Sequence, residues 1–317
     1  MPSPVEPTPT APPAIKIDEL LVRVVQVFTL NDGQQMTNAT GFFYLQDGYL
    51  HLITNRHVVI NEPTQHRPDG LALRLHVDAN ELTKTNDIQI PLYNNGAPVW
   101  KEHPKHGAAA DVVAVPINDP QVMANHFVSA FQPEDVLAKD KGLPIGQDVL
   151  ILGFPLGFHD TLHNLAIVRN ATIASVYPMP FKGEPYFLTD ARLHRGTSGS
   201  PVIAKLPKPT GVVGEFVPAW YVLGVHSASL DVSNRDPSQD EPLGLNCAWY
   251  AALLNDIVSA APATLPAAQP VAPPAVETPA VAEPAPPASQ SPSVSTAKRD
   301  WRPEPPTDGE AVIVNLQ

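Results

Sequence analysis

Three segments carry side chains that together could support nucleophilic catalysis: TNRHVV around His57, AADVVAVPI around Asp111 and TDARLHRGTSGSPVI around Ser198. A serine hydroxyl is a poor nucleophile until a neighbouring base takes its proton, and histidine suits that task because its pKa lies near neutrality. A buried carboxylate beside the imidazole fixes the tautomer and stabilises the imidazolium that forms. The glycines around Ser198 supply a second requirement, two backbone N–H groups converging on one point. Gly196 and Ser198 are the expected donors of such an oxyanion hole, because glycine permits the unusual turn it needs. Taken singly, each residue has a plain structural reading: a serine in a glycine turn, an aspartate capping a strand, a histidine packed among apolar neighbours. Their joint order, His57, Asp111, Ser198, with gaps of 54 and 87 residues, favours the catalytic one. Asp87 and Asp119 are rival acids, but neither directly opens a strongly hydrophobic run as Asp111 does.

Such residues need a rigid frame, and the surrounding sequence reads as strands. LVRVVQVF, GFFYLQ, YLHLIT, LALRLHV, DIQIPL, DVVAVPI, DVLILGF, LAIVRNATIASVY and AWYVLGVHS are short and rich in Val, Ile and Tyr. Loops containing Gly, Pro, Asn and Asp separate them, a spacing that predicts an all-β barrel or sandwich rather than βαβ units. One helix is expected, over residues 245–259, where Trp249, Leu253 and Ile257 share a face and Asn246 would be the N-cap. Residues 1–14, rich in proline and polar residues, are expected to be a disordered arm. Residues 15–260 should form the folded part. Residues 261–317 open with a Pro/Ala-rich tract that cannot bury a core and should act as an extended spacer, ending in the short apolar word EAVIVNLQ.

Composition narrows the partners. The 317 residues carry a formal charge of −12, which offers no basic surface to phosphates and argues against nucleic acid or an anionic membrane surface. The single cysteine, Cys247, excludes an internal disulfide and fits a reducing compartment. The first residues lack a basic stretch followed by an apolar one, and apolar runs are too short to span a bilayer, so a cytoplasmic location is expected. No cofactor and no metal are expected.

The words TNRHVV, DVVAVPI, LGFPLG and TDA-x4-GTSGSPV resemble the bacterial HtrA-type and V8-type branches of the trypsin-like serine peptidases, over roughly residues 22–258. The resemblance implies a chymotrypsin-like fold: two six-stranded antiparallel β-barrels, divided here at about 125–143, with His57, Asp111 and Ser198 in the cleft between them and a C-terminal helix. It also implies an endopeptidase that forms an acyl-enzyme on the serine. In that fold the pocket for the residue before the scissile bond is built by the segment preceding the nucleophile and a later edge strand, here Arg192, Leu193, His226 and Ser227. The GVH word with His226 is similar to a GIH word of V8-type glutamyl endopeptidases and to a GxH word of viral chymotrypsin-like cysteine proteases, where the histidine meets glutamate or glutamine. Leu193 departs from the V8-type pattern, which has threonine there. The alternative for His226 is a purely structural edge-strand role, with Arg192 turned to solvent. No PDZ-like region follows residue 259, so the regulated oligomer of HtrA-type enzymes is not implied.

A second class of function stays open: a latent or non-catalytic module that keeps the protease fold and serves a protein partner. The C-terminal tail could recruit a regulatory protein, occupy the cleft as a tethered product, add a strand to a sheet edge, or contact nothing.

Overall fold

The computed structural model describes residues 17–230 and 243–264. The arm expected at 1–14 and the tail beyond residue 264, including EAVIVNLQ, lie outside the described residues. A short 3-10 turn (Glu19–Val22), capped by the Asp18 carboxylate accepting from the Leu20 N–H, leads into the first strands.

β1 (Val24–Asn31), β2 (Gln34–Gln46) and β3 (Tyr49–Thr54) form a meander. Its two turns are the Asp-Gly pairs 32–33 and 47–48, all four residues at positive φ, as tight two-residue hairpins demand. β4 (Gly70–His76) and β5 (Thr85–Pro91) follow, then a small hairpin of β6 (Tyr93–Asn94) and β7 (Ala97–Pro98), and then β8 (Val113–Pro116). The first sheet has the order β5-β4-β1-β2-β3-β8, every pair antiparallel. Residues 117–147 then cross to the second half and include the short helix α2 (Pro120–Asn125), after α1 (Arg56–Val59). β9 (Asp148–Gly153), β10 (Ile167–Ile173), β11 (Tyr186–Asp190), β12 (Pro201–Pro209), β13 (Phe216–Leu230) and β14 (Leu245–Tyr250) close into an antiparallel barrel of order β10-β11-β14-β13-β12-β9. The protein is therefore all-β, with the two six-stranded antiparallel sheets of a chymotrypsin-like fold; the second closes on itself, and the first keeps β5 and β8 as its hydrogen-bonding edges.

Why the central words of the sequence are continuously apolar follows from this arrangement. Successive side chains of a strand point to opposite faces. Phe43, Leu52, Val113 and Val115 enter the core of the first sheet with Val27, Leu71 and Trp100. Their neighbours Phe42, Tyr44, Ile53 and Ala114 face the other way and join the core of the barrel with Phe187, Val202 and Val225. Both faces of β2, β3 and β8 are thus buried, and alternation disappears from the sequence.

The expected helix over residues 245–259 is only half a helix. Its first part is β14, wedged between β11 and β13, and only Ala251–Leu253 (3-10) and α3 (Leu254–Ser259) turn helical. The four-residue spacing of Trp249, Leu253 and Ile257 reflects burial in two different elements. Asn246 is no helix cap: its amide donates to the carbonyls of Ala191 and Gly244 and its Oδ1 accepts from Ser229. The strand wins because LNCAWY fills a central position of a closed barrel, where almost every residue is buried.

The segment after α3 remains attached to the first sheet. Lys101 exchanges hydrogen bonds with Ala114 of β8 and pairs in turn with Pro262, while the Ala263 N–H donates to the Trp100 carbonyl at 2.7 Å. The Lys101 ammonium donates to the Val258 carbonyl at 2.6 Å. Among the described residues no helix is long and apolar enough to cross a membrane.

Candidate active site

His57 lies in α1, directly after β3. The short helix is anchored from its other side: the buried Arg56 guanidinium donates twice to Glu62, at 2.8 and 2.7 Å, and once to Glu102 at 3.0 Å. Those carboxylates hold the Arg56 pKa above its ordinary value, with the Glu62 bonds the largest cause, and the guanidinium in turn pulls Glu62 down to about 2. Asn55, the residue before, donates from its side chain to the Asp111 carbonyl at 2.7 Å.

Asp111 precedes β8 and presents its carboxylate to three donors. The His57 N–H reaches Oδ1 at 2.9 Å, and His57 Nδ1 and Ser227 Oγ both reach Oδ2, at 2.7 and 2.6 Å. A carboxylate only accepts, so Nδ1 carries a proton, and in the neutral imidazole the lone pair is then on Nε2. The ring is thereby held with Nδ1 on Asp111 and Nε2 turned away from it.

Ser198 sits in the loop between β11 and β12, folded as successive turns: the Thr197 hydroxyl donates to the His194 carbonyl at 2.7 Å, and the Ser200 N–H to the Thr197 carbonyl at 3.0 Å. The loop is pinned to β13, since the Gly199 N–H donates to the His226 carbonyl and the His226 N–H to the Ser200 carbonyl. Gly196 (φ 92°) and Gly199 (φ 87°) take left-handed conformations. A Cβ at Gly196 would run into the Phe154 carbonyl, and one at Gly199 into the Thr40 carbonyl, so backbone packs where a side chain would be. The Ser198 hydroxyl donates to the Ser227 carbonyl at 3.3 Å and makes no hydrogen bond to His57.

The peptide joining Arg195 and Gly196 is fixed by its carbonyl, which accepts from the Leu156 N–H at 2.6 Å. In a planar trans peptide the N–H points opposite to the C=O, so the Gly196 N–H faces away from Leu156. Among the described residues neither the Gly196 nor the Ser198 N–H has an acceptor. Leu156 holds this bond from φ 54°, a left-handed conformation costly for a branched residue and found where structure is over-determined.

Residues 39–212 match the family of trypsin-like peptidase domains, more than half of the sequence. The chain belongs to the trypsin-like peptidase family. Among solved structures, it is similar to a serine endoprotease from Yersinia pestis, with 15% identity, a TM-score of 0.44 and coverage of 77% of this chain and 66% of that one. A Mycobacterium tuberculosis protein, crystallised in an inactive form as a serine-to-alanine mutant, gives 18% identity, a TM-score of 0.40 and coverage of 80% and 95%. An inactivated protease paralogue of the scabies mite gives 14%, 0.45, and coverage of 77% and 98%. No curated protein matches the sequence.

Within this trypsin-like domain the residues expected to form a specificity pocket separate. Arg192 is exposed, and its carbonyl accepts from the Arg169 guanidinium at 2.5 Å. Leu193 is half-buried against the barrel core. His226 is buried in β13, which lies between β12 and β14 and is not an edge strand. Burial first, and then the neighbouring His57, push the His226 pKa down to about 3, so the imidazole is neutral; its Nδ1 has no hydrogen-bond partner. Ser227 is displaced from the pocket reading, because its hydroxyl is spent on Asp111. Two residues not singled out in the sequence complete the site: Leu156, inside the word LGFPLG, and Thr40 of β2, whose hydroxyl donates to the Gly196 carbonyl at 2.7 Å.

Proposed function

We propose that this trypsin-like peptidase domain is an active serine endopeptidase with His57, Asp111 and Ser198 as its catalytic triad. The observation that carries the reading is the His57–Asp111 pair, bonded at both His57 Nδ1 and N–H, beside a serine loop with two unengaged N–H groups. Ser198 Oγ attacks the carbonyl carbon of the scissile bond as its proton passes to His57 Nε2. The carbonyl oxygen becomes an oxyanion, met by the N–H groups of Gly196 and Ser198. The C–N bond then breaks as His57 gives its proton to the leaving amine. A water deprotonated by His57 attacks the acyl-enzyme, releases the acid and restores the Ser198 hydroxyl.

The residue accepted before the scissile bond is proposed to be glutamine rather than glutamate. His226 lies next to the nucleophile loop, and a neutral imidazole can donate to an amide oxygen but supplies no countercharge for a buried carboxylate.

A second reading is favoured by one contact. The Ser198 hydroxyl rests on the Ser227 carbonyl, as in a latent enzyme whose serine must rotate towards His57 when a substrate or protein partner binds. Labelling with a fluorophosphonate probe separates the two. The full chain is expected to label, and Ser198→Ala to lose the label while unfolding at the same temperature. Absence of labelling in the folded wild-type chain would overturn the active reading in favour of the latent one.

A further inference from the structure

Thr40 spends every polar atom it has on the two sides of the cleft. It lies on β2 and is fully buried. Its N–H donates to the Ser198 carbonyl at 2.9 Å. Its hydroxyl donates to the Gly196 carbonyl at 2.7 Å and accepts from the Phe154 N–H at 3.1 Å. Its carbonyl accepts from the Thr54 hydroxyl at 2.8 Å, and Thr54 closes β3 three residues before His57. One residue of the first sheet therefore holds the nucleophile loop on both sides of Thr197, the 154–156 turn, and the strand that delivers the base.

The hydroxyl matters because it works in both directions at once. Accepting from Phe154, it fixes the start of the turn in which Leu156 clamps the Arg195 carbonyl. Donating to the Gly196 carbonyl, it fixes the next peptide along. The peptide units before and after Gly196 are thus both set by hydrogen bonds that trace to Thr40 Oγ1, one directly and one through residues 154–156. These two units decide where the Gly196 N–H points.

We propose that Thr40 is a positioning residue: its hydroxyl orients the peptides around Gly196 so that the Gly196 N–H faces the developing oxyanion. The inference rests on the active reading above, with Gly196 as an oxyanion donor. A donor of this kind acts in the transition state, so disorienting it lowers kcat and leaves KM nearly untouched. Valine matches the shape of threonine but neither donates nor accepts, whereas serine keeps both bonds.

The experiment measures kcat and KM on one ester substrate for the full chain and for Thr40→Val, Thr40→Ser and Thr29→Val. Thr29 is an equally buried threonine on β1 whose hydroxyl bonds only within the first sheet, to Thr37. Thr40→Val is expected to lose about tenfold to a hundredfold in kcat with KM changed less than about threefold, Thr40→Ser to recover most of the rate, and Thr29→Val to keep it. The proposal is overturned if Thr40→Val retains wild-type kcat, if its loss falls on KM, or if Thr29→Val loses as much. Should Thr40→Val not fold, Thr40→Ser decides alone: with both hydrogen bonds kept and only a methyl removed, a serine variant as slow as a tenfold loss overturns it. A wild-type chain that fails to label with a fluorophosphonate instead removes the active reading itself, which is a distinct result.

Discussion

At the scale of single residues, the proposed chemistry rests on groups that are themselves held: Asp111 takes bonds from His57 and Ser227, and Thr40 grips the loop of Ser198. His57, Asp111 and Ser198 stand in short words whose chemistry is visible without a fold, and the structure brings His57 and Asp111 into contact at 2.7 Å. Ser227, expected with His226 in a pocket on the later strand, gives its hydroxyl instead to Asp111. Thr40 leaves no signal, since its part is played by a bond across 156 residues, and Leu156, though inside LGFPLG, is not singled out because it acts through its backbone N–H. The neutral His226 leads to a prediction at this scale. Paired peptide substrates that differ only in glutamine or glutamate before the cleaved bond should show kcat/KM higher for glutamine by about tenfold or more, reflecting the cost of burying an uncompensated carboxylate. A His226→Ala variant should lose that discrimination; equal rates for both peptides in the wild-type chain would refute the pocket assignment.

At the scale of elements, strands announced themselves and the last element did not. GFFYLQ and YLHLIT become β2 and β3, and the Asp-Gly pairs between strands become tight hairpins. Residues 245–250 were misread because tryptophan, leucine and isoleucine at four-residue spacing satisfy a helical period, whereas pairing with β11 and β13 decided the outcome. α1 is the element on which the proposed function leans most, and four residues cannot hold a helix by their own propensity. The Arg56 bonds to Glu62 and Glu102 supply what propensity lacks. Replacing Arg56 by glutamine leaves the mostly buried Glu102 without its guanidinium and should destabilise the fold by about 2 kcal/mol, less than a fully buried pair because Glu62 is open to water. Urea titration reads that loss, and kcat should fall in parallel as His57 loses its mooring. A variant as stable as wild type would mean that the helix is held by other contacts.

At the scale of the whole molecule, buried histidines make stability depend on pH, His226 and His51 most strongly. Burial lowers His226 to about 3 and His51 to about 4 from the ordinary 6.5. Below pH 6.5 the unfolded chain takes up protons that the folded chain refuses, so stability falls as pH drops from about 6.5 towards 4. For His226 the slope reaches up to about 1.4 kcal/mol per pH unit, and His51 adds to it in the same sense. Thermal melts between pH 7 and 4 should show this decline, and His226→Gln should flatten it; an unchanged pH profile in the variant would contradict the burial argument. The same long-range connectivity bears on how the protein is made. The edge of the first sheet is finished by residues 262 and 263, and Lys101 reaches across 157 positions to Val258. A ribosome releases the strands of the first sheet long before it releases those residues, so the half of the molecule that is synthesised first is completed last, after the barrel that follows it has left the exit tunnel.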